Sequence, residues 1–189
     1  MYVLFNISIV KHIDMLTIKL GNLLDAQEEY IVQQCNCIGT RTNGLSRQIA
    51  LRFPHADPYR WKHPLTPGGF IAIQEDRHTP GEIEVLGDKS KGERPVICMF
   101  AQVGPGRPYS TCNSTGIYGI DNHDARSLWF ARCLENIVKE VNPSSLAFPY
   151  GIGCGLAGGD WQNVYNPILQ RFSQRHHIAV VLYLHQDSG

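Results

Sequence analysis

Two glycine-bearing stretches carry the residue types that could hold an anion: CNCIGTRTNGLS over 35–46 and FPYGIGCGLAGGDW over 148–161. Each follows an apolar run and precedes a helix signal. A helix start leaves amide N–H groups without intrahelical partners, and the aligned peptide dipoles favour negative charge there. Glycine at 151, 153, 155, 158 and 159 removes the Cβ that would hold a phosphate away, and it permits the positive φ angles that turn successive amides toward one point. Two such loops side by side suit a diphosphate. Neither stretch matches GxxxxGK(S/T) or GxGxxG in its proper context, so tight strand-to-helix turns are the competing explanation.

The elements that must present these loops follow from the hydrophobic pattern. Apolar and β-branched runs at 2–10, 16–20 (LTIKL), 30–35 (YIVQQC), 70–73 (FIAI), 95–102 (PVICMFAQ), 145–149 (SLAFP) and 178–184 (IAVVLYL) predict strands. Leu45 to Phe53 predicts a short helix. Asp121 to Val141 predicts a longer one, with Ala125, Leu128, Trp129, Leu134, Ile137, Val138 and Val141 on one stripe and Asp121 as N-cap. A third helix should begin at Asp160 and turn Trp161, Val164, Tyr165, Ile168, Leu169 and Phe172 to the core. Pro167 lies beyond the tolerated first turn, which predicts a kink or a late start. Strands followed by helices, several strands being apolar throughout, argue for a central mixed sheet covered on both faces. In such an α/β sheet ligands collect beyond the C-terminal ends of strands, where both loops fall. The segments 54–69 and 103–119 read as irregular.

With 189 residues, 43% hydrophobic and 18% charged, the chain can bury one substantial core. Residues 15–189 are expected to form a single domain, with 1–14 as an extension contributing an added strand. Lysine and arginine balance aspartate and glutamate at 17 each, so the field that draws nucleic acid polymers is not expected, whereas a small anion needs only a few backbone donors. MYVLFNISIV has no preceding positive region or cleavage site, and Lys11 and His12 interrupt it too soon for a membrane span. Cysteines at 35, 37, 98, 112, 133 and 154 show no CxxC pair and no zinc-site spacing. They read as reduced thiols in a cytoplasmic or nuclear setting, with no metal and no cofactor.

LTIKLGNLLD, YIVQQCNCIG, GLSRQIALRFP and FPYGIGCGLAGGDW, followed by a last strand ending VLYL, occur in that order over 15–184 and together resemble a macrodomain. The similarity is to the branch containing ADP-ribose 1″-phosphate phosphatases and terminal ADP-ribose glycohydrolases. It implies a three-layer α/β/α fold with a central mixed β-sheet and an ADP-ribose cleft across the top of the sheet. Gly21, Asn22 and Leu23 would then meet the adenine, with Asn22 accepting from its amino group and Tyr183 stacking on the ring; a turn role for Asn22 and a core role for Tyr183 are the alternatives. Asn36 would face the distal ribose. Asn43, Gly44, Leu45 and Ser46 would close over the ribose and diphosphate, and Gly151, Ile152, Gly153, Cys154, Gly155 and Leu156 would wrap the diphosphate from the other side.

The resembled glycohydrolase carries a lysine at the position of Gln102 and an aspartate at Ala157. Without them a lysine-linked covalent mechanism is not expected, because an amide is no nucleophile and alanine moves no proton. Asn36 and Asp160 are the catalytic candidates, Asp160 either orienting water or capping the next helix, and His55 and His123 are further candidates by residue type. Cys154 has no ordered histidine partner and reads as packing beneath its loop. The expected function is hydrolysis of an ADP-ribose derivative, ADP-ribose 1″-phosphate first, by positioned water. A noncatalytic reader of ADP-ribosylated proteins, or a hydrolase removing ADP-ribose from protein side chains, is the alternative.

Overall fold

A computed structural model describes residues 15–108 and 120–185. The strand expected at 2–10, Cys112 and residues 109–119 lie outside the described residues. The strands are β1 (Leu16–Leu20), β2 (Tyr30–Asn36), β3 (Ile83–Leu86), β4 (Val96–Gln102), β5 (Ser145–Pro149) and β6 (Ala179–Leu184). The helices are α1 (Leu45–Arg52), α2 (His123–Glu140) and α3 (Asn166–His176). The sheet runs β1-β6-β5-β2-β4-β3, and every pairing is parallel except β3 with β4, which makes it mixed.

Each face of the sheet is buried by a different set of side chains, which is why β4 is buried at every position. Val32, Ile97, Met99, Leu146, Phe148, Val180 and Leu182 pack against Phe130, Leu134 and Ile137 of α2 and Leu169 and Phe172 of α3. On the other face Ile31, Cys35, Val96, Cys98, Phe100 and Ala147 pack against Ile49 of α1, Leu23, Ala56 and Tyr59. Helices on both faces give the three layers. The parallel strands β2, β4 and β5 carry their C-terminal ends to one edge of the sheet, and the loops bearing Asn36, Gln102 and Gly151 leave from there.

Several elements depart from the sequence expectation for local reasons. FIAI is not a strand of the sheet: Ile71 and Ala72 make single bridges to Gly39 and Pro64, and Phe70 is 63% exposed beneath the Arg41 guanidinium. Ile83–Leu86, unanticipated because Glu82 and Glu84 interrupt its apolar run, forms the antiparallel edge strand β3. Asn122 rather than Asp121 caps α2, its Oδ1 accepting from the Ala125 amide at 2.8 Å, because Asp121 is drawn into a buried ion pair. Leu128 is 70% exposed, off the packed stripe. Asp160 caps a π turn over Trp161–Tyr165, after which α3 begins late with Pro167 in its permitted first turn.

The irregular segment after α1 is tied to β4 by His78 and Lys62. The His78 ring stacks on Phe100 with centroids 3.5 Å apart and planes at 14°, while the Lys62 ammonium donates to the Cys37 carbonyl at 2.9 Å and lies 5.4 Å from the Phe100 ring centre. Burial, and then Lys62, push His78 from 6.5 down to about 4, against a smaller opposing pull from Glu82. The folded state therefore takes up the proton less readily than the unfolded chain. This stability is fully present above pH 6.5 and is lost as pH falls toward 4. Discounted for the partial exposure of the ring, roughly 1–2 kcal/mol of unfolding free energy should disappear between neutral and acidic pH. Urea denaturation of the wild type and His78→Gln across that range should show a shallower pH slope in the variant; equal slopes would contradict this role for His78.

Candidate functional site

A cleft of about 530 Å³ opens at the C-terminal ends of β2, β4 and β5, lined by Asn36, Asn43–Ser46, Gln34, Gln102 and most of Gly151–Ala157. Its first wall is the start of α1. The Gly44 amide donates to Asn43 Oδ1 at 2.8 Å, and the Ser46 hydroxyl donates to the Asn43 carbonyl at 2.8 Å while accepting from the Asn43 amide at 3.0 Å. These bonds fix the turn and leave the Leu45 and Ser46 amides at the helix start, where no intrahelical acceptor exists.

The opposite wall is the turn after β5. The Ile152 amide donates to the Pro149 carbonyl at 3.1 Å and that of Cys154 to the Gly151 carbonyl at 2.9 Å. The amides of Gly153, Gly155 and Leu156 have no backbone acceptor among the described residues. Gly153 has φ +76°, and a Cβ there would stand 2.7 Å from Gln34 Oε1 and 2.9 Å from the Tyr165 ring, so a side chain is excluded on both grounds. The cleft is thus lined on two sides by residues whose backbone amides lack acceptors among the described residues, with Arg41 also lining it.

The floor is polar and ordered. Asn36 Oδ1 accepts from the Gly39 amide, and its Nδ2 donates to the Tyr59 hydroxyl at 3.1 Å, which also receives the Asn36 amide at 3.0 Å. Burial pushes the Tyr59 phenol well up, so it stays protonated as a fixed anchor. Asn36 retains a second N–H and a second lone pair. Beside it, Gln34 Nε2 donates to Gln102 Oε1 at 2.8 Å, and Gln102 Nε2 donates to the Gly104 carbonyl at 2.9 Å.

Beneath the cleft lies Arg126, ion-paired with Asp121 and as deeply buried as its partner. Its Nη2 donates to Asp121 Oδ2 at 2.8 Å and to the Gly104 carbonyl at 3.3 Å; its Nη1 donates to the carbonyls of Gly106 at 2.6 Å and Ala157 at 3.4 Å. Asp121 Oδ2 also accepts the Gly104 amide at 3.1 Å. One ion pair therefore holds the loop after β4 and the turn after β5 together. The sequence signal was present: Arg126, Phe130, Cys133, Leu134 and Ile137 share one helical face, and a charge at the head of an apolar stripe demands a buried partner.

Other expected site residues lie elsewhere. Asn22 Oδ1 accepts from the Leu24 amide at 3.0 Å and caps a short 3₁₀ turn containing buried Leu23. Tyr183 is 5% exposed, packed in the core beside Gly21, with its hydroxyl donating to Glu28 at 2.9 Å. None of Gly21, Asn22, Leu23 and Tyr183 lines the cleft. Asp160 caps the π turn through the amide and side chain of Asn163, which hold its carboxyl below the usual range, and with His123 it borders a separate depression. His55 is bonded to the Arg94 carbonyl. Cys154 is half-buried against the core, its thiol pushed up to about 11 by burial, which suits packing and not nucleophilic attack. Gln34, Tyr59 and Arg126 were not singled out in the sequence.

The fold has known counterparts. No family model matches the chain. The macrodomain of Mycobacterium tuberculosis DarG superposes with a TM-score of 0.59 at 23% identity, covering 89% of this chain and 96% of that one. A Trypanosoma brucei macrodomain in complex with ADP-ribose superposes with a TM-score of 0.55 at 14% identity, covering 90% of this chain and 63% of that one. The chain has the macrodomain fold. Among characterised proteins it is similar to the DNA ADP-ribosyl glycohydrolases of Mycobacterium tuberculosis and Mycobacterium bovis, 23% identical over 172 residues. That match covers 89% of this chain but 42% of the relatives' length.

Removing one member of the Asp121–Arg126 pair leaves an uncompensated buried charge, and Arg126→Met should lower unfolding stability by about 3–5 kcal/mol. The double variant Asp121→Asn with Arg126→Met should recover part of that loss. Chemical denaturation of the single and double variants checks this; a loss below about 1 kcal/mol for Arg126→Met would show that the pair does not organise the loops.

Proposed function

We propose that the cleft binds ADP-ribose, its diphosphate held between the start of α1 and the Gly151–Leu156 turn and its distal ribose over Asn36, and that it hydrolyses a derivative substituted at the 1″ position. The observation that carries this reading is the facing pair of amide-lined walls with Asn36 on the floor between them. The ADP-ribose complex of a protein with the same fold supports the choice of ligand.

The small substrate is ADP-ribose 1″-phosphate, which with water gives ADP-ribose and phosphate. Asn36, fixed by Gly39 and Tyr59, offers a donor and an acceptor to vicinal hydroxyls and so orients the sugar. Gln102 and Ala157 supply neither an amine nor a carboxylate, which favours direct attack of water over a covalent sugar intermediate. Phosphate, an acidic leaving group, departs without an enzyme acid of unusual strength, so rate enhancement rests chiefly on placement.

A second reading, release of ADP-ribose from DNA, is supported by the activity named for the curated relatives and by one surface feature. Between Gly39 and Phe70, Arg41, Arg47, Arg52, Arg60 and Lys62 stand against Asp57 alone, an imbalance that the zero net charge of the whole chain conceals. Exposed Trp61 and Phe70 each carry a guanidinium, of Arg60 and Arg41, 4.6 Å from the ring centre. Bases stack on such platforms.

Purified protein should release phosphate from ADP-ribose 1″-phosphate above a heat-treated control. Release of ADP-ribose from a modified single-stranded oligonucleotide, with no phosphate release, would replace the first reading with the second. Turnover of ADP-ribosylated protein alone would identify a protein-directed hydrolase. Tight ADP-ribose binding without turnover of any of the three would make the protein a reader and overturn hydrolysis.

A further inference from the structure

The orientation of the Gln34 amide follows from the groups behind it. The Gly104 carbonyl can only accept, so Gln102 must present Nε2 to it, which turns Gln102 Oε1 toward Gln34. Gln34 must then donate through Nε2, and its Oε1 is left facing away. Gly104 cannot shift to relax this order, because Asp121 accepts its amide and Arg126 donates to its carbonyl. Gln34 Oε1 is buried and has no hydrogen-bond donor among the described residues. A carbonyl oxygen in that state is uncommon and calls for a partner.

The partner must be a donor. It must also displace the turn that buries Oε1, for Gly153 packs on this acceptor so closely that an added Cβ would sit 2.7 Å from it, and glycine at 151, 153 and 155 lets that turn move. At neutral pH the diphosphate of ADP-ribose offers acceptors alone, whereas its ribose hydroxyls offer donors. Gln34 and Asn36 both line the cleft at the end of β2, the sugar-facing end under the ADP-ribose reading on which this inference rests.

We propose that Gln34 is a specificity-determining residue whose Oε1 accepts a hydrogen bond from a hydroxyl of the distal ribose, selecting ADP-ribose over ADP. The Gln102 amide and the Asp121–Arg126 pair position it. A site that leaves a buried acceptor unsatisfied discriminates against a ligand lacking the matching hydroxyl.

The test is calorimetric titration of wild type, Gln34→Met and Gln102→Met with ADP-ribose and with ADP, melting temperature being recorded for each protein. Wild type should prefer ADP-ribose. Gln34→Met should weaken ADP-ribose by about tenfold or more while leaving ADP within about twofold. Gln102→Met, which frees the Gln34 amide to rotate, should reproduce a smaller loss confined to ADP-ribose, and it decides the matter if Gln34→Met does not fold. Equal loss for both ligands, no loss, or a wild type without preference would overturn the role of Gln34. A wild type that binds neither ligand would instead overturn the ADP-ribose reading itself.

Discussion

A buried guanidinium must place every N–H on an acceptor, and Arg126 meets that demand by drawing two loops to itself. Part of its fork is matched by Asp121, and the remaining donors reach the carbonyls of Gly104, Gly106 and Ala157. The charge would be costly alone; paired and fully bonded, it becomes a fixed post against which irregular backbone is held. One side of the cleft, formed by the loop after β4 and the end of the turn after β5, is built on this post. The loop after β4 cannot swing away from α2, the Gly104 carbonyl orders the Gln102 and Gln34 amides, and the end of the Gly151–Ala157 turn is tied from below. A loop rich in glycine would otherwise lose its conformational advantage to entropy.

That constraint explains why a cleft with so few reactive side chains is nevertheless well organised. Its walls present amides, its floor presents carboxamides and a phenol kept protonated by burial, and none of these takes a proton from water readily. Such a surface suits binding a diphosphate and holding a sugar in one pose. Under the proposed hydrolysis, chemistry performed there would draw on the substrate's own leaving group and hydroxyls. Arg41, which lines the cleft, lies over exposed Phe70, and Arg60 lies over exposed Trp61; under the proposed DNA reading these groups would meet what the sugar is attached to.

Strands β1, β2, β4, β5 and β6 and all three helices were legible in the sequence because each is a continuous apolar run or a clear stripe whose burial dominates its local energy. The two loops were legible for a different reason: glycine spacing before a helix start has few physical explanations. What escaped was set by tertiary partners. β3 depends on pairing with β4 and not on its own short run; FIAI has strand composition, but Phe70 finds a cation at the surface instead of a sheet. Asp121 reads as a cap until Arg126, five residues on, is seen to need a counter-charge. Asn22 and Tyr183 occupy a turn and a core position, as their residue types alone favour. Gln34 carried no signal at all, because its importance lies in a chain of hydrogen bonds crossing three segments.

The central claim is that backbone amides of the two walls hold the diphosphate. Amide chemical-shift mapping of the protein titrated with ADP-ribose tests it directly. The largest changes should fall on Leu45, Ser46, Gly153, Gly155 and Leu156, the amides that the fold leaves without acceptors. Absence of any change on titration, or changes confined to a face away from these five amides, would contradict the account.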